Sequence, residues 1–185
     1  MNKVMITSFL GKEINLIDID SSQITLEDIA HGLSYLCRYS GQCRHFYSVG
    51  QHSINCLKVS DVFGYDEKLK IYTLLHDASE AYICDIPSPL KRLLPEYKKY
   101  EISLQDAIYE RFNLEKITPT DKRLVKQVDN IMFSKEWKEL MDPNHEDQYT
   151  ELSIPNLDFT YQSMKIVEEE FLKETKRLIK NRIEG

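Results

Sequence analysis

Apolar residues in this chain recur every three or four positions in segment after segment, and strict alternation is confined to the opening stretch VMITSFLGKEINLI. That periodicity commits most of the chain to helices packed on helices. Leu26, Ile29, Leu33, Leu36 and Cys37 mark a helix over 25–38, opened by the capping-box-like pair Thr25 and Asp28. Ser48 is a good N-cap for a second helix, whose apolar face carries Val49, His52, Cys56 and Leu57. Asp66 opens a third, with Leu69, Ile71, Tyr72, Leu74, Leu75, Ala78 and Tyr82 along it; the two prolines of IPSP at 86–89 cannot continue the hydrogen-bond ladder and end it. Three more helices are predicted near 95–113, 120–141 and 158–183, the last apolar on one side and charged on the other. Alternation around Gly11 predicts a short hairpin. The expectation is an all-α bundle with a short N-terminal β-hairpin, one domain over 1–185, and DPNHEDQY at 142–149 as its most mobile loop.

With 185 residues and 42% apolar content the chain can bury a sizeable core. Its formal net charge of −6, with no basic block, offers no footprint for tracking a nucleic-acid polymer. No window has the length and apolarity of a membrane span, and MNKVMITSFL lacks a signal-peptide core, so the expected location is the cytoplasm. Cys37, Cys43, Cys56 and Cys84 form neither a C-x-x-C pair nor a metal-finger spacing, and read as reduced thiols, mostly buried. The apolar face of the final helix suggests a homo-oligomer.

The stretch LLHDASEAYICDIPSPLK, 74–91, sets four titratable groups on what should be a core helix. Helical spacing stacks His76 over Glu80 and sets Asp77 beside Glu80. An imidazole beside a carboxylate is a natural pair of metal ligands, and a further carboxylate a turn away can move a water's proton. Alone, an HD dipeptide is commonplace and Glu80 could be plain surface charge. His52 alone is also ordinary: an imidazole on an apolar face is most often a core group bonded to a carbonyl. In LVKQVDNIM, however, Val125, Asp129 and Met132 fall at i, i+4 and i+7, which buries a carboxylate that must find a cation, a metal or strong donors. A salt bridge would suffice for Asp129 alone. Together, His52, His76, Asp77 and Asp129 make a two-histidine, two-carboxylate site for one divalent transition metal, whether Mn, Co, Zn, Ni or Fe. On the first helix His31, Tyr35 and Arg38 repeat as a polar stripe. That stripe is either a solvated face or the place where an arginine fork meets a phosphate, with Tyr39 lying against a sugar or base. Lys91, past the proline turn, is an ordinary surface lysine or a second phosphate cation.

The ordered pattern His52, His76-Asp77, Asp129, with Glu80 and Asp85, resembles the HD-domain metal-dependent phosphohydrolases, an all-α superfamily, from about Ala30 to Met132. HDASEAYICDIPSPLK and LVKQVD are similar to the bacterial 5′-deoxynucleotidases. IAHGLSYLCRYSGQCRHFYSVGQHS is similar to short phage- or prophage-encoded HD proteins, some of them deoxynucleoside triphosphohydrolases. The resemblance implies His52, His76, Asp77 and Asp129 as metal ligands, Glu80 as the acid/base carboxylate, and Asp85 as a carboxylate that contacts the substrate or its leaving oxygen. It also implies Arg38 and Lys91 at the phosphate, and a small-molecule nucleotide as substrate. Tyr39 stands where relatives often carry a tryptophan that crowds the ribose 2′ position. Alarmone hydrolysis fits less well, because Ser79-Glu80 replaces an acidic pair after HD, and cyclic-dinucleotide hydrolysis lacks its GYP motif. A catalytically silent nucleotide-binding module and a purely structural helical protein are the non-enzymatic alternatives.

Overall fold

The opening hairpin forms where alternation placed it. In a computed structural model describing residues 3–184, β1 (Met5–Thr7) and β2 (Glu13–Asn15) pair antiparallel with Ile6 opposite Ile14, and Gly11 supplies the positive φ of 74° that the turn needs. One buried carboxylate fastens the hairpin to the first helix: Asp28 accepts the Leu10 N–H on one oxygen and the Thr25 hydroxyl on the other.

The expected helical architecture is borne out: among the described residues this hairpin is the only sheet, beside eight α-helices. They are α1 (Leu26–Tyr35), α2 (Val49–Val62), α3 (Glu67–Leu74), α4 (Glu80–Ile83), α5 (Ser88–Lys91), α6 (Pro95–Arg111), α7 (Pro119–Glu136) and α8 (Met164–Glu184). Helix α2 is the hub, packed by α1, α3, α7 and α8, and every residue from Val49 to Leu57 is buried. The apolar face of α8, with Val167, Phe171 and Leu178, lies on α1, α2 and α3. The face that suggested a second copy is therefore covered within the chain.

Four helices depart from the periodic reading, and at two of the departures side chains distant in sequence satisfy backbone groups that a helix would otherwise satisfy itself. Helix α1 stops at Tyr35: Leu36 turns extended and Cys37 forms an isolated bridge with Ser48. Arg38 thereby leaves the stripe shared with His31 and Tyr35 and turns inward, while His31 stacks between Phe9 and Tyr35 and pairs with Glu168. The third helix breaks at Leu75, so His76 and Asp77 lie in a turn between α3 and α4 rather than on a continuous helix. Gln105 of α6 takes the Leu75 carbonyl and the Ser79 N–H, and the His76 Nδ1 bonds the Thr73 carbonyl. Helix α7 passes at Glu136 into a π-helical turn, Trp137–Met141. Helix α8 begins at 164 rather than 158, because Gln51 and Asn55 of α2 and the ring of His45 hold the carbonyls of Asp158, Phe159 and Thr160 in an extended strap.

In the loop 142–149, Asp147 accepts from Ser134, Lys135 and the Tyr149 N–H. One further expectation changes. The four cysteines are unpaired, but Cys56 alone is buried; Cys37 and Cys43 are partly exposed and Cys84 is exposed.

Helices α1 and α4 touch through Gly32, where an added Cβ would sit 2.8 Å from the Ala81 carbonyl oxygen and 2.9 Å from its Cβ. A glycine inside a helix is ordinarily destabilising relative to alanine by about 0.5–1 kcal/mol. Here Gly32→Ala should reverse that sign and cost about 1–3 kcal/mol through overpacking, read as a lower urea midpoint at unchanged m-value. A gain in stability would mean that α4 does not lie against α1.

Candidate metal centre

Three elements deliver the central side chains. Helix α2 brings His52, fully buried, the turn after α3 brings His76 and Asp77, and α7 brings Asp129. Each imidazole has its Nδ1 committed: that of His52 lies 2.7 Å from Glu136 Oε1, and that of His76 lies 2.7 Å from the Thr73 carbonyl. Both rings therefore present Nε2 inward, and the two Nε2 atoms face each other at 3.4 Å. Asp129 Oδ1 stands 3.4 Å from the His52 Nε2 and 3.8 Å from that of His76. Asp77 Oδ2 stands 3.7 Å and 3.2 Å from the same two atoms. Donor atoms about 2.0–2.2 Å from one four-coordinate ion stand about 3.3–3.6 Å apart, and these five separations run from 3.2 to 3.8 Å, around that range.

A fifth donor joins them. Cys56, one turn beyond His52 on α2, places its Sγ 3.4 Å from the His52 Nε2, and the His52, Cys56 and His76 donor atoms lie within 4.8 Å of one another. These three form a candidate metal-binding group. The stripe Val49, His52, Cys56 already displayed that spacing, but a thiol on an apolar face reads as packing.

Glu136 is the larger omission. It follows Asp129 by seven residues, two turns along α7, so it lies on the face already marked by Val125, Asp129 and Met132; the charged run SKEWKE disguised it as a solvated helix end. It is fully buried, with two donors on each oxygen: Tyr47 and His52 on Oε1, Arg38 and Tyr39 on Oε2. Burial pushes this carboxyl up, but Arg38 and His52 overrule it and hold it below the usual range.

Arg38, also buried, reaches Glu136 at 3.1 Å and stands 3.7 Å from Asp77 Oδ2. Its neighbours Tyr39 and Ser40 both have left-handed backbones, φ 55° and 52°, which for such residues costs of order 1–3 kcal/mol each. The Tyr39 ring meets Trp137 edge-on at 5.9 Å and its hydroxyl is tied to Glu136, so the turn is held from both ends.

Glu80 opens α4 and is buried. One oxygen accepts from Lys91 at 2.7 Å; Oε2 has no hydrogen-bond partner among the described residues. Burial, then Asp77 and Asp85, push its carboxyl well above the usual range against the pull of Lys91. Lys91 also pairs with Glu101 at 2.6 Å, which keeps it charged when Glu80 carries a proton. Asp85 follows Cys84, whose φ of 72° turns the chain out of α4; burial raises its carboxyl while Arg38 and Lys91 pull it down. Asp85 is thus in electrostatic reach of both cations. A cavity of about 330 Å³ opens beside the centre, lined by His76, Asp77, Asp129, Lys91, Tyr109 and Lys126 among others. That volume lies within the range of small-molecule sites. Arg44 donates instead to the Glu139 carbonyl, and neither it nor Arg92 lines the cavity; nor do Arg38, Tyr39, Glu80 and Asp85, which lie behind or beside the ligand cluster. His45 bonds the Phe159 carbonyl and His145 lies by Trp137, both outside the cluster, as expected.

No family model matches the chain. The uncharacterized protein YfdR of Escherichia coli strain K12 is 40% identical over 136 residues, which cover 73% of this chain and 71% of YfdR, and the chain belongs to the same family as that protein. An uncharacterized protein of Rhodobacter capsulatus is 34% identical over 130 residues, covering 65% of each chain. Among the described residues no helix is long and apolar enough to cross a membrane.

The charges around the imidazoles set a pH dependence. Burial works against a proton on His52 and on His76, and so does Arg38 at His52; Cys56, Glu136 and Asp129 at the first, and Asp77 and Asp129 at the second, outweigh this and raise both above the ordinary histidine range. The stability that these protons contribute is fully present below the unfolded histidine pKa, about 6.5, and is lost as pH rises through the raised folded values. Asp77 and Asp129, held down by the same imidazoles against burial, lose their contribution only in acid. The metal-free melting temperature should therefore fall as pH rises above about 6.5 through the raised values, and the rise caused by added Zn²⁺ should grow over the same range as the ion no longer displaces protons. Melting curves with Zn²⁺ and with chelator test this; a Zn²⁺ effect that shrinks with rising pH would exclude the imidazoles as ligands.

Proposed function

We propose that this member of the YfdR family is a metal-dependent phosphohydrolase of the HD-domain type acting on 2′-deoxynucleotides. It releases phosphate from deoxynucleoside 5′-monophosphates or triphosphate from deoxynucleoside triphosphates. One observation carries the proposal: His52, His76, Asp77 and Asp129 converge from three elements at separations near those of ligands to one small cation, and the last three of them line a cavity within the size range of small-molecule sites. A divalent ion held there would supply Lewis-acid polarisation of a phosphoryl oxygen and an activated water.

The chain's own groups do the rest. The guanidinium of Arg38 keeps its Nη atoms free of Glu136, which takes Nε alone, and offers them to phosphate oxygens. Glu80 holds a proton at a buried carboxyl whose Oε2 is unpartnered, the state required of a general acid that protonates a leaving oxygen at neutral pH. Asp85 lies near Arg38, where it can take a proton from the attacking side. Lys91 holds Glu80 in place through Oε1 and leaves Oε2 to the substrate.

Phosphate release from a panel of deoxy- and ribonucleotide mono- and triphosphates, with Mn²⁺, Co²⁺, Mg²⁺ or Zn²⁺, is the direct test. Turnover should be confined to deoxynucleotides and be lost, together with bound metal, in His76→Ala and Asp77→Ala. Full activity in either variant, or metal binding with no turnover of any nucleotide, would sink the assignment. Glu80→Gln should keep the metal but lower kcat about 10²- to 10⁴-fold. Because the raised Glu80 pKa keeps the acid form to higher pH, wild-type kcat should fall as pH rises through that value, and this limb should vanish in Glu80→Gln. An unchanged kcat in the variant would remove Glu80 from proton transfer.

A further inference from the structure

We infer that Glu136 is a positioning residue that aligns the metal-facing imidazole and the phosphate-facing guanidinium with one buried carboxylate. The phosphate half rests on the hydrolase assignment above; the metal half does not. A carboxylate accepts on both oxygens, and each here takes one donor from each pair: Oε1 receives Tyr47 and the His52 Nδ1, Oε2 receives Tyr39 and the Arg38 Nε. The proton is thereby kept on the His52 Nδ1, which leaves Nε2 as the nitrogen able to bind a metal. The Arg38 fork is oriented by its Nε, and its Nη1 stands 3.7 Å from Asp77 Oδ2, at the edge of the ligand cluster. Tyr39 and Ser40 hold left-handed backbones immediately after Arg38, and the Tyr39 hydroxyl on Glu136 fixes that turn. Glu136 itself sits where α7 gives way to the π-helical turn at Trp137–Met141, a local irregularity frequent at functional sites.

An amide of the same shape accepts on only one atom and donates on the other. Glu136→Gln must either turn its NH₂ against the His52 Nδ1–H, driving the proton to Nε2, or turn it against the Arg38 Nε–H and the Tyr39 hydroxyl. In the full-length protein, Glu136→Gln should therefore weaken at least one of two affinities: that for Mn²⁺ by chelator competition, about 10- to 100-fold, in the first orientation, or that for inorganic phosphate at saturating Mn²⁺ in the second. Arg38→Ala should lose phosphate affinity while keeping Mn²⁺ affinity, and Tyr47→Phe, which removes one of the four donors to Glu136 and an acceptor for Asn55 but leaves His52 on Oε1, should leave Mn²⁺ affinity within about threefold. Both affinities within threefold of wild type in Glu136→Gln would overturn the inference. Should Glu136→Gln not fold, ¹H–¹⁵N spectra of the Zn²⁺-loaded wild type decide: a strongly downfield, exchange-protected Nδ1 proton on His52 is expected, and its absence overturns the role. Failure of the wild type to turn over nucleotides would count against the hydrolase assignment alone, since both affinities remain measurable.

Discussion

Two imidazole nitrogens held 3.4 Å apart, with two aspartates against them, are the constraint around which the rest of the chain is arranged. Neither ring can turn away, because each has its other nitrogen fixed, one by a buried carboxylate and one by a backbone carbonyl. Asp77, Asp129 and Glu136 bring three negative charges to this point, while Arg38 and Lys126, which pairs with Asp129 Oδ2, supply two positive ones. The remaining negative charge favours a proton on the imidazoles or a cation between them. The arrangement explains why α2 is buried along most of its length: a hub helix is the only place where an imidazole can meet groups from two other elements with its apolar neighbours still packed.

Much of this was legible in the sequence where a single helix carries the information. The stripes through His52 and Asp129 lie on one helix each, and periodicity alone aims them at the core. The hairpin about Gly11 and the N-caps Thr25, Ser48 and Asp66 are local devices, and they appear where expected. Boundaries set from afar were not legible. The break at Leu75 depends on Gln105, thirty residues on, and the strap before α8 depends on Gln51 and Asn55, more than a hundred residues back. The inward turn of Arg38 depends on Glu136. The site's missing acid lay in a charged helix end whose composition reads as solvent-facing, and only its seven-residue spacing from Asp129 marked it.

The non-glycine residues with positive φ next to the centre show where the fold stores strain. Tyr39 and Ser40 follow Arg38, and Cys84 precedes Asp85. Each strained step redirects the chain so that the next or previous charged side chain enters the cluster, and each is affordable only because partners over-determine it: Glu136 and Trp137 for Tyr39, and the Glu80 carbonyl, which takes the Cys84 N–H, for the turn out of α4. The strain thus lies on the two segments that carry Arg38 and Asp85, while the ligand-bearing helices α2 and α7 are regular up to Glu136.

Lys91 shows how charge balance refines an assignment drawn from resemblance. A lysine with a carboxylate on either side, Glu80 at 2.7 Å and Glu101 at 2.6 Å, is not a bare cation waiting for a phosphate. If both acids were ionised, the trio would carry a net negative charge beside Asp77 and Asp85, which burial and those two aspartates both oppose at Glu80. With Glu80 protonated, Lys91 and Glu101 balance each other and Glu80 keeps one oxygen on the lysine and one unpartnered. The geometry therefore makes Lys91 a holder of the acid as much as a partner for phosphate, and leaves Arg38 as the cation whose donors face the cluster directly.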